Sequence, residues 1–93
     1  MRRIDRQSAF RQDFKREKLS GRYKNFDKIT VDILTLLASD ELLPERYCDH
    51  SLTGSWAGFR ECHIKPDLLL IYEKPDAHTL VLARLGSHSD LFG

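Results

Sequence analysis

The chain has no apolar run long enough for a membrane. Its longest, Leu68 to Tyr72, falls far short of the roughly 20 residues that cross a bilayer. The basic start from Met1 to Arg6 has no apolar stretch behind it, so it does not read as a signal peptide and a cytoplasmic address is expected. Two cysteines, Cys48 and Cys62, are too few for a disulfide scaffold and are expected to be reduced, small and buried. No C-x-x-C pair and no pair of histidines at helical spacing occurs, and Cys48 with His50 is one residue tighter than common zinc knuckles. No metal and no cofactor are therefore expected. No nucleophile elbow is present. No second polar recognition helix follows Gly21, which argues against a helix-turn-helix. Internal repeats, linkers and low-complexity tracts are also missing.

What is present fits one domain, residues 1–93, because a chain of this length can bury only one modest core. Its 41% apolar and 31% charged residues are ordinary for a globular protein. The net charge of +1 hides an asymmetry. Residues 1–28 hold ten Lys/Arg against four Asp/Glu, and the remainder five against ten. One side of the molecule is expected to meet an anion, and RNA is the commonest large polyanion in the cytoplasm.

The front half reads as helical. Arg2 to Arg6 is a short strand candidate, and Ser8 is the expected cap of a short helix with Phe10 and Phe14 one turn apart. Gly21 breaks it. From about Asn25 to Ser39, Phe26, Ile29, Ile33, Leu36 and Leu37 recur at helical spacing and predict a second, longer helix. Pro44 closes the helical half. Beyond it, Gly54, Gly58, Lys65-Pro66-Asp67, Lys74-Pro75-Asp76 and Gly86 punctuate three strand-like runs, Phe59 to Ile64, Leu68 to Glu73 and Thr79 to Leu85. Short connections between them predict an antiparallel meander. The expected fold is α+β: two N-terminal helices on one face of a small antiparallel sheet, with the other face open.

All four histidines, His50, His63, His78 and His88, lie in the second half, three of them near strand ends or turns. Asp67, Glu61, Arg60, Arg84 and Tyr72 fall in the same neighbourhood if the strand ends converge. Histidine, aspartate and arginine without a Ser or Cys nucleophile motif point to acid/base work. RNA suits such a site because the ribose 2′-OH is its own nucleophile. One imidazole removes the 2′-OH proton, another protonates the leaving 5′-oxygen, and an arginine stabilises the phosphate charge. An exposed aromatic side chain would hold a base by stacking. Trp56, Phe59 and Tyr72 read instead as packing residues, and His78 as a solvent-exposed turn residue.

Residues Asp49-His50-x-Leu52-x-Gly54-x-Trp56-x-Gly58-x-Arg60-x-x-His63-x-x-Pro66-Asp67-x-x-Leu70-Ile71-Tyr72, followed by Arg84-x-Gly86-x-His88-x-x-Leu91-Phe92, resemble the YafQ branch of the RelE toxins. The likeness covers the second half closely and the front in layout. It implies a microbial RNase fold whose concave sheet face enters the ribosomal A site and cuts the codon there without a metal. By motif position it implies a catalytic set of His50, His63, Asp67 and His88, with Phe92 as the aromatic and Arg84 at the scissile phosphate. His50 and His88 would transfer protons, with His88 as the acid, while His63 and Asp67 orient and tune them. Lys65 and Arg60 add cations for RNA beside that set.

The implied partners are a cognate antitoxin, the 70S ribosome with its mRNA, and operator DNA only through the antitoxin. The basic N-terminal third is the expected dock for an acidic antitoxin segment or for ribosomal RNA. The rival reading is a non-catalytic binder of the same fold, of the gyrase-poisoning type, which has no need of several titrating groups in the matched positions.

Overall fold

The computed structural model describes residues 1–93. Strand β1 (Arg3–Arg6) leads into helix α1 (Ser8–Ser20) and helix α2 (Phe26–Ala38). A single helical turn (Glu45–Tyr47), the short strand β2 (His50–Ser51) and another turn (Gly54–Trp56) connect to β3 (Arg60–Lys65). Strands β4 (Leu68–Glu73) and β5 (Thr79–Gly86) follow, and helix α3 (His88–Phe92) ends the chain.

Helix α1 is as long as α2, 13 residues each, rather than shorter. The stripe that Phe10 opens is continued by two buried carboxylates, Asp13 and Glu17, beside the partly buried Phe14. Gln7, not Ser8, occupies the N-cap of α1, and its side chain makes no capping hydrogen bond. Gly21 ends α1 at φ 67, a left-handed geometry that glycine adopts without strain. Helix α2 buries Phe26, Thr30, Ile33, Leu37 and Ala38, a spacing of three and four that faces one side toward the sheet.

The sheet has five strands in the order β1-β5-β4-β3-β2. The meander β2 to β5 is antiparallel as expected, but β1 runs parallel to β5, with Arg3 opposite Thr79 and Arg6 opposite Leu82. The sheet is therefore mixed rather than purely antiparallel. The expectation missed this because α1 and α2 carry the chain away before the meander returns beside β1, a pairing that no local turn signal announces.

Both faces are covered, also in contrast to expectation. The helices pack on Cys62, Ile64, Leu68, Leu70, Tyr72, Leu80, Leu82 and Leu85. On the second face, Leu69, Ile71 and Ala83 are joined by Leu91 of α3 and by Leu52, Trp56 and Phe59. The Trp56 and Phe59 rings meet edge to face at 5.2 Å. Cys62 is buried, as expected; Cys48 is exposed, which corrects that expectation.

Candidate active site

Strand alternation places functional side chains on the second face. Glu61 and His63 are two apart on β3 and point away from the helices, whereas Cys62 and Ile64 belong to the core beneath α2. Pairing then draws a row across the sheet: His50 is opposite Glu61, Glu61 opposite Ile71, and Ile71 opposite Arg84. His63, opposite Leu69, starts the adjacent row. Immediately after β5, α3 returns His88 and Phe92 to the same place.

Four rings consequently line up. Centroids of His50 and His63 are 6.4 Å apart, those of His63 and His88 5.8 Å, and those of His88 and Phe92 6.2 Å. Two carboxylates bind the row together. Glu61 Oε1 lies 3.2 Å from His63 Nε2 and 3.7 Å from His50 Nε2. Asp67 Oδ1 accepts the His88 backbone N–H at 3.2 Å and lies 3.5 Å from His88 Nδ1. Phe92 remains 46% exposed, while its neighbour Leu91 anchors α3 to the sheet.

His50 is held from below. Its Nδ1 is 2.7 Å from the Cys48 carbonyl, so a neutral ring donates there and keeps its lone pair on Nε2. Cys48 adopts φ 50 to offer that carbonyl. Next to it, Asp49 is clamped by the Tyr72 hydroxyl at 2.5 Å and by Arg60 at 3.2 Å. Burial, reinforced by the Asp49 carboxylate, pushes the Tyr72 hydroxyl well above its ordinary pKa and keeps it a donor. Arg60 is thus tied to Asp49, with 44% of its side chain still exposed.

Arg84 has a partner that sequence reading did not supply. Asp13 of α1 accepts from its Nε at 2.7 Å and its Nη2 at 3.2 Å, and also from the Leu85 backbone N–H at 3.0 Å. Burial raises the Asp13 pKa, but the bonds from Arg84 and Leu85 and the charges of Arg84 and Arg16 outweigh it, so the net shift is downward. Arg16 adds a bond to the Leu85 carbonyl. Helix α1 therefore satisfies the edge of β5 just past the point where β1 ends. A bulge sets Ala83 and Arg84 together opposite the β4 backbone.

His50, His63, Asp67, His88 and Phe92 are brought together; Arg60 and Arg84 are fixed by carboxylates; Lys65 lies at the far end of β3, half buried. His78 is elsewhere, in an exposed turn with Asp76. Glu61 is the site residue that sequence reading left without a role, although its spacing of two from His63 was a readable signal. Glu61, His63 and His88 each offer a ligand atom within 4.8 Å of the others, an arrangement that fits a metal ion.

The family model described as "Bacterial toxin of type II toxin-antitoxin system, YafQ" matches residues 2–93. Over 73 residues, 77% of this chain and 77% of the relative, the sequence is 44% identical to the mRNA interferase toxin YafQ of Escherichia coli strain K12. A metal-bound toxin from Helicobacter pylori is similar in structure at TM-score 0.87 and 42% identity, covering 99% of this chain and all of that one. YafQ in the E. coli DinJ-YafQ toxin-antitoxin complex is similar at TM-score 0.85 and 34% identity, over 99% of this chain and 98% of that one.

Proposed function

The chain belongs to the YafQ family of type II toxin-antitoxin toxins, and from that premise we propose that it cleaves mRNA in the ribosomal A site by metal-independent acid/base catalysis. The observation that carries this reading is the row of His50, His63, His88 and Phe92 with Glu61 and Asp67 between its members. His50, with Nδ1 turned to the Cys48 carbonyl, takes the 2′-OH proton on Nε2. The 2′-oxygen attacks phosphorus, the bond to the 5′-oxygen breaks, and His88 donates the proton that the leaving oxygen needs. An imidazolium at His88 keeps Nδ1–H toward Asp67 and offers Nε2–H to the substrate. Glu61 holds His63 between them. Arg84, fixed by Asp13, meets the phosphate, Arg60 and Lys65 meet the backbone, and Phe92 stacks on a base.

The products of such an attack end in a 2′,3′-cyclic phosphate or a 3′-phosphate. A metal held by Glu61, His63 and His88 would supply Lewis-acid charge to a phosphate oxygen. It would also occupy a nitrogen of His88, the proposed acid. Chelation followed by dialysis is therefore expected to leave cleavage unchanged or raise it, and loss restored by a stoichiometric divalent ion would sink the metal-free mechanism.

The deciding experiment is translation of a defined message in a bacterial cell-free system with new mRNA ends mapped by primer extension, beside a sample blocked at initiation. In-frame cuts confined to the translating sample are expected. Cuts in both would make the protein a free ribonuclease, and cuts in neither would return it to the binding class. Because the E. coli relative is found in a complex with DinJ, the chain is expected to have an antitoxin of its own. The exposed cations of α1, among them Arg11 and Lys15, offer an acidic segment a dock.

A further inference from the structure

Strand β2 pairs only with Arg60 and Glu61, so the edge of β3 from Cys62 onward has no strand beside it. Between that edge, α2 and the Glu45–Tyr47 turn lies a cleft of about 500 Å³. Its apolar walls are Ile29, Ile64 and Pro66, and its cations are Arg46 and Lys65. A bulge at the end of β3 makes this possible: Lys65 is opposite Leu68, so it shares the helix side of the sheet with Ile64 instead of alternating away. The Arg46 guanidinium lies 4.6 Å from the Tyr47 ring centroid and donates to the Tyr47 hydroxyl at 3.0 Å. His63 lines the cleft and also stands in the histidine row.

We infer that this cleft is a subsite for a single unstacked base of the RNA, that of a nucleotide next to the one whose 2′-OH attacks. The inference rests on the proposed mRNA cleavage and adds to it the group that holds the neighbouring nucleotide. A base presents two apolar faces and a polar edge, and single-stranded RNA is held by stacking on aromatic rings and guanidinium planes. The Arg46–Tyr47 pair is such a plane, Ile29, Ile64 and Pro66 accept the remaining surface, and Lys65 neutralises the connecting phosphate. Because His63 borders both places, a strand laid along the histidines enters the cleft without leaving the protein. Its continuity with the histidine row through His63 favours substrate over antitoxin.

The test compares the wild-type toxin with the Arg46→Ala variant and with Tyr47→Leu in the translating system. Four messages differ only at the base beside the mapped cut. Arg46→Ala alters an exposed side chain at the rim and keeps the core, so it guards against a folding defect in Tyr47→Leu. Loss of base stacking and of the adjoining cation is expected to raise KM about tenfold, with kcat within about twofold, and to flatten the preference at that base. Wild-type KM and preference in both variants, with cutting intact, would overturn the subsite while leaving the nuclease reading standing. Unchanged kinetics with weakened antitoxin binding would assign the cleft to the antitoxin. A wild-type protein that cuts no message would remove the nuclease reading and the subsite together.

Discussion

Glu61 has 4% of its side chain exposed and makes no ion pair with an arginine or lysine, Arg60 being paired with Asp49; its partners are His63 at 3.2 Å and His50 at 3.7 Å. A buried carboxylate without a permanent cation is costly. Such a residue belongs to a site that accepts instability for chemistry. Glu61→Gln is expected to fold with an unchanged or higher melting temperature and to lose about a hundredfold or more in cleavage rate. A variant that cuts like the wild type would make Glu61 a structural residue. His50→Ala and His88→Ala should each abolish cleavage while binding of the antitoxin and thermal stability stay near wild type. Unfolding of both would reassign them to the structure. The individual members of the row were legible in the sequence from residue type and from the punctuation around them, although His63 lies inside β3 and not at its end. Their meeting was not, since a histidine at residue 50 says nothing of one at residue 88 until pairing and α3 return them to the same face.

At the scale of elements, α3 decides whether His88 and Phe92 reach the row. Its entry is fixed by a reciprocal cap: Ser87 Oγ accepts the Asp90 N–H at 3.1 Å, and Asp90 accepts the Ser87 N–H at 3.1 Å. Gly86 leaves room for this cap: a Cβ on it would lie 3.1 Å from Asp90 Cβ and 2.9 Å from Arg16 Nη2, so both side chains would have to give way. Gly86→Ala is expected to cost about 1–3 kcal/mol by overpacking and, by displacing α3, to reduce cleavage more than antitoxin binding. Denaturant titration with a parallel cleavage assay checks this, and wild-type values in both would show that the cap tolerates the methyl group. The expected tail is thus a helix, which five residues are too few to reveal by periodicity. By contrast the strand from Leu68 to Glu73 was readable to the residue, because Lys65-Pro66-Asp67 and Lys74-Pro75-Asp76 bracket it. Helix α1 was underestimated because Asp13 and Glu17 complete its buried stripe, and carboxylates do not announce a core.

Across the whole molecule, Asp13 joins the helical layer to the sheet, and its pKa is depressed in the folded state for the reasons given. Asp40 is held at about 2 by Lys74 and Arg2, and Asp76 and Asp90 are also lowered. A depressed carboxylate contributes stability that is complete above its unfolded value, about 3.9 for aspartate, and is lost as pH falls through its folded value. The melting temperature should therefore hold from neutrality to about pH 4 and fall steadily below it. Asp13→Asn should lower it at neutral pH and make the acid slope shallower. An identical slope in the variant would mean that the Asp13 link does not titrate with folding. The mixed sheet is the global feature least visible in the sequence, because β1 and β5 are joined by nothing between them except the rest of the chain.

That parallel pairing has a consequence for how the protein is made. Synthesis delivers β1 well before β5, so β1 waits without its partner while both long helices and the rest of the meander are produced. The face that gathers the histidines is therefore a late product of folding: His88 and Phe92 can join His50 and His63 only once β5 has taken its place between β1 and β4.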